Sequence, residues 1–96
     1  MIEIRRTGAA DPLEFEVTIR DATGASSHMV TLSRQDYERL TAGRHTPEQF
    51  IDAAFRFLLD REPKEAILHR FDINVITTYF PEFQQTVPRY LAGSQS

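Results

Sequence analysis

The chain has 96 residues, 41% of them hydrophobic and 26% charged, with a formal net charge of −3 and no cysteine. That length supports one domain burying around two-thirds of the surface its unfolded chain exposes, and the composition excludes the disordered and membrane classes. The negative total disfavours a broad nucleic-acid or anionic-membrane footprint, and the lack of thiols removes disulfide and thiolate chemistry and suits the cytoplasm.

No apolar run is long enough to span a bilayer. The opening MIEIRRTGAADP lacks the basic region and apolar stretch of a secretory signal, so a cytoplasmic location is expected. Lys64 is the only lysine, and the remaining positive charge is arginine.

Ile2 and Ile4 alternate with Glu3 and Arg5, the pattern of a short edge strand. The clearest strand is Leu13–Asp21: Leu13, Phe15, Val17 and Ile19 share one face and Glu14, Glu16, Thr18 and Arg20 the other. Asp21-Ala22-Thr23-Gly24 carries turn chemistry, and His28–Leu32 follows with Val30 and Leu32 on one face. These strands predict a hairpin and, with the first, an antiparallel meander.

Ser33 predicts an N-cap for a short helix carrying Tyr37 and Leu40 inward and closing at Gly43. The next helix, near 47–61, organises the chain. Thr46 caps it, Pro47 suits its first position, and Gln49 completes a capping box. At about 100° per residue, its phenylalanines, leucines, alanines and Ile51 sweep roughly two-thirds of the circumference, leaving a stripe of Gln49, Asp52, Arg56 and Asp60. Such a helix must be covered on nearly all sides.

Glu62-Pro63 stops it, and Pro63 predicts another helix presenting Ile67, Leu68 and Phe71. Asp72 predicts a cap for Asn74–Phe80, with Phe71 and Ile76 at the spacing of a hydrophobic staple. Glu82–Val87 predicts one or two turns ending at Pro88. The expected fold is α+β: a meander of about three strands, then about four helices packed around the central one. Residues 1–91 form a single domain and 92–96 a flexible tail.

No catalytic, cofactor or metal site is expected. His28, His45 and His69 lie in different elements, without metal-ligand spacing. His28 falls in the inward register of its strand, as a hydrogen-bonded core histidine, and His69 beside Arg70 belongs at the surface. The serines have no nucleophile-elbow context, and the scattered glycines form no phosphate-cradling loop.

What remains is an aromatic cluster interrupted by Pro81 and Pro88. Arginine and aromatic side chains supply much of the energy at protein interfaces, so Arg70, Tyr79, Phe83 and Tyr90 are the candidate partner-binding residues. Core packing over the central helix is the competing reading for Phe80 and Phe83. A protein partner is expected, and so broadly apolar a central helix also admits completion by a second copy, a homodimer.

Ser27–Arg61 resembles the ribbon-helix-helix family, with HMVTLS as the ribbon, Gln35–Leu40 as the first helix and Thr46–Leu59 as the second. The resemblance implies a dimeric DNA-binding regulator or antitoxin with Ser27, Met29 and Thr31 toward DNA. No arginine or lysine stands in the outward ribbon register, and this reading is the alternative to a non-enzymatic interaction or regulatory module. A longer stretch, from PEQFIDAAFRFLLDREP to ILHRFDINVITTYFPEF, resembles a family of small bacterial proteins with no assigned activity. The residues carrying it are Phe57, Leu58 and Leu59 with Arg61-Glu62-Pro63, then Phe71-Asp72 and Tyr79-Phe80-Pro81. It implies a bacterial origin and transfers no catalytic residue.

Overall fold

The computed structural model describes residues 1–93. Strands β1 (Ile2–Gly8), β2 (Leu13–Asp21) and β3 (Gly24–Leu32) form the antiparallel meander, followed by helices α1 (Arg34–Thr41) and α2 (Pro47–Leu59). A 3-10 turn at Lys64–Ala66 leads to a short strand β4 (Arg70–Asp72), then helices α3 (Asn74–Tyr79) and α4 (Phe83–Gly93). Sheet order is β1-β2-β3-β4, with β4 parallel to β3. The fold is α+β.

Alternation along β2 decides which face is buried. Leu13, Phe15, Val17 and Ile19 are all at most 3% exposed. They align with Leu32, Val30, His28 and Ser26 of β3, while Val17 and Ile19 meet Ile4 and Ile2 of β1. The hairpin closes tightly because the Asp21 carboxylate accepts from the Thr23 amide and hydroxyl, and Gly24 takes a φ of 132° that side chains disfavour.

α2 lies against the inner face of this sheet. Its cap is reciprocal: Gln49 N donates to Thr46 Oγ1 (3.1 Å) and Thr46 N to Gln49 Oε1 (2.8 Å). Phe50, Ile51, Ala53, Ala54, Phe55 and Phe57 are fully buried. Of the polar stripe, Arg56 pairs with Asp52 at 2.9 Å and donates to the Tyr90 carbonyl at 3.0 Å, so α4 crosses what the sequence leaves to solvent.

Two expectations are corrected. The segment after Pro63 is a 3-10 turn and a strand rather than a helix, because Ile67, Phe71 and Ile73 are buried at odd positions and β3 offers a free edge. α4 continues through Pro88 instead of ending there; buried Val87 and Leu91, one turn apart, hold the helix where the proline removes a backbone donor. The helix also takes in Ala92 and Gly93, whereas the rest of the expected tail, 94–96, lies outside the described residues.

A ribbon-helix-helix dimer requires β3 to pair with the same strand of a second copy. Here β2 and β4 occupy both of its edges.

Candidate functional site

Beyond Leu59, Asp60 ends the helix and Glu62-Pro63 turns the chain away. Lys64 anchors the turn, Ile67 drops into the core, and Leu68 is left facing outward, its carbonyl accepting from the His28 ring at 2.7 Å. Asp72 then fixes the next corner. It accepts from Thr31 Oγ1 at 2.6 Å and from the Asn74 amide at 3.0 Å, and Asn74 Nδ2 donates to Asp36 at 2.7 Å. The sequence predicts Asp72 as the cap of α3, but the N-cap position is Ile73, without a side-chain cap, and Asp72 instead closes the turn before the helix.

The space enclosed by these turns is an open groove of about 320 Å³. Its floor is Leu58, Ile67, Phe71 and Ile76, all at most 9% exposed. Ala66, Leu68, Val75, Tyr79 and Phe80 form its walls, and Leu68 and Tyr79 are 47% and 66% exposed. Apart from Met1, these two are the exposed large hydrophobic residues among those described.

Among the described residues, Glu62 is the only charged one lining the groove. It is half-buried, and burial pushes its carboxyl above the ordinary range because the charged form loses hydration. Its carboxylate makes no hydrogen bond or ion pair among the described residues.

Of the four residues expected to bind a partner, only Tyr79 lines this groove. Arg70 is exposed, on the face of β4 opposite Phe71 and level with Met29 on the outer sheet surface. Tyr90 is half-buried: its hydroxyl donates to Asp60, and its ring stands edge-on to Phe57 at 6.0 Å. Phe83 is fully buried between Phe57 and Phe50, at ring separations of 5.0 and 6.2 Å, and presents nothing to a partner. The candidates therefore do not form one surface. Glu62 and Leu68 are not among the residues expected to bind a partner; the sequence places Leu68 on the apolar face of a helix, whereas it stands exposed beside buried Ile67.

Arg61 lies beside the groove without facing it. Its guanidinium stacks over Phe57 at 3.7 Å from the ring centroid and reaches Glu82 at 3.3 Å.

Two further clusters are structural. Lys64 is buried, and its ammonium donates to Asp21 (2.9 Å), Thr23 (2.6 Å) and Glu65 (2.5 Å), which saturates its three protons. Hydrogen bonds from Thr23 and Lys64 hold the Asp21 carboxyl well below its usual range, and the bond from Lys64 lowers that of Glu65. His28 is fully buried, bonded to the Leu68 carbonyl through Nδ1 and to Ser26 Oγ through Nε2, and stacked on exposed His69 at 5.6 Å. Burial pushes its basicity down.

Among the described residues no group of three or more histidine, aspartate or glutamate side chains is placed to hold a metal, and no helix is long and apolar enough to cross a membrane. A second, shallower cavity of about 210 Å³ lies between the end of α1 and α4 and includes Arg39, Arg44 and Leu91; Arg39 is committed to Asp36. Set against known proteins, the chain matches no family model, no curated protein and no solved structure.

Proposed function

We propose that this chain is a small, non-enzymatic protein-interaction module of the bacterial cytoplasm, which receives an apolar segment of a partner protein in the groove between the end of α2, β4 and α3. The reading is carried by one observation: Leu68 and Tyr79 stand exposed on the walls of a groove whose floor is continuous with the core. Exposed large apolar side chains grouped around a concavity mark interaction sites more often than solitary ones do. The groove lining is apolar side chains with one carboxylate, Glu62, and one phenol, Tyr79, and this lining favours affinity and orientation over proton transfer.

The test is a Leu68→Ser, Tyr79→Ser double variant, with an unchanged circular dichroism spectrum and thermal midpoint establishing that it folds. The wild-type chain is expected to retain a partner from the native cell that the double variant releases and that an Arg89→Ser control, altered at an exposed position of α4, keeps. Equal retention by all three chains overturns the reading.

A further inference from the structure

Among the described residues Glu62 brings the one charged side chain to a mostly apolar groove, and that charge defines what can enter. An apolar segment laid between Leu68 and Tyr79 would displace water from the half-buried carboxylate and leave it uncompensated, which is costly. The two cations nearest to it in sequence are already engaged. Arg61 is committed to the Phe57 ring and Glu82, and the protons of Lys64 are taken by Asp21, Thr23 and Glu65. Glu62 also sits just past the C-terminus of α2, where the helix dipole presents its negative end, so charge and dipole favour the same sign of ligand.

We propose that the groove selects a partner segment presenting apolar side chains together with one lysine or arginine, the cation pairing with Glu62 while the apolar side chains pack between Leu68 and Tyr79. This deepens the interaction reading and rests on it. An anionic segment is rejected because its charge would meet the Glu62 carboxylate where water is partly excluded.

The experiment titrates the isotope-labelled full chain with acetylated, amidated peptides that share one apolar face and differ at a single residue, lysine, glutamine or glutamate, scanned along the polar flank. Amide shifts at Leu68, Phe71 and Tyr79 report groove occupancy. At the best position the lysine peptide is expected to bind about tenfold tighter than its glutamate counterpart, the glutamine peptide falling between. In Glu62→Gln, whose amide spectrum establishes folding, this ratio is expected to fall close to one while the affinity of the glutamine peptide is kept.

Equal affinity for the three peptides at every scanned position in the wild-type chain overturns the charge selection but leaves groove binding standing. Absence of groove shifts with all of them overturns the interaction reading as well. A dimer in sedimentation that Leu68→Asp dissolves makes a second copy the occupant, and that too overturns the proposal.

Discussion

The Lys64 ammonium lies 2.9 Å from an Asp21 carboxylate oxygen, joining the β2–β3 turn to the connector after α2 across 43 residues of sequence. Lys64 itself is only 2% exposed, but Asp21 and Glu65, which cover it, are 50% and 64% exposed, so water screens the cluster. Lys64→Met keeps much of the buried stem and removes the charge. It is expected to lower the thermal midpoint by several degrees at pH 7. Both carboxyls are held below their ordinary values of 3.8 and 4.5, so their stabilisation is present above those values and lost as pH falls through the lower folded ones. The gap between wild type and variant should accordingly narrow in strong acid; a gap of constant size would place the effect in packing alone.

His28 gives a second pH dependence. Its folded pKa lies below the ordinary 6.5, chiefly because burial penalises the imidazolium. Above that value both states are neutral and the group contributes no pH dependence. Below it the unfolded chain takes up the proton first, so stability falls as pH drops from about 6.5 towards the folded value. Nuclear magnetic resonance should show the His28 ring titrating below 6.5, and His28→Gln should flatten the stability slope in this window.

Phe83 and Tyr79 separate core from surface. Phe83→Ala empties a site bounded by Phe50 and Phe57, and should cost about 3–5 kcal/mol by chemical denaturation. Tyr79→Ala, at an exposed position, should stay within about 0.5 kcal/mol. Comparable losses at the two positions would contradict the burial described.

The α2 cap is testable on its own. Thr46→Ala removes the oxygen that receives the Gln49 amide and should cost about 1 kcal/mol. Thr46→Ser, which keeps an oxygen there, should restore most of the loss.

Glu62 should be destabilising while charged. Its carboxyl is pushed up by burial, so the folded state favours the protonated form. Glu62→Gln is expected to raise the thermal midpoint at pH 7, and the gain should fade in acid as the wild-type carboxyl becomes neutral. A lower midpoint at pH 7 would mean that Glu62 has an intramolecular partner.

Local signals were enough to define the meander, the capping of α2 and its role as the interior rod, because each rests on periodicity or on residues within one turn of one another. Phe15 alternates with charged neighbours, and Thr46 and Gln49 are three residues apart. The fate of residues 63–73 was not legible in that way. Ile67 and Phe71 fit a helix face as well as a strand, and a strand of three residues is too short to display its own period. What decided it was the open edge of β3, together with Lys64 finding Asp21 and His28 finding the Leu68 carbonyl, contacts spanning about forty residues. The groove is a product of the same long-range choice: once Ile67 and Phe71 are drawn inward beside β3, Leu68 and Glu62 are left along its wall. Composition and spacing settle which side chains need cover, but only the packed chain settles which of them remain uncovered.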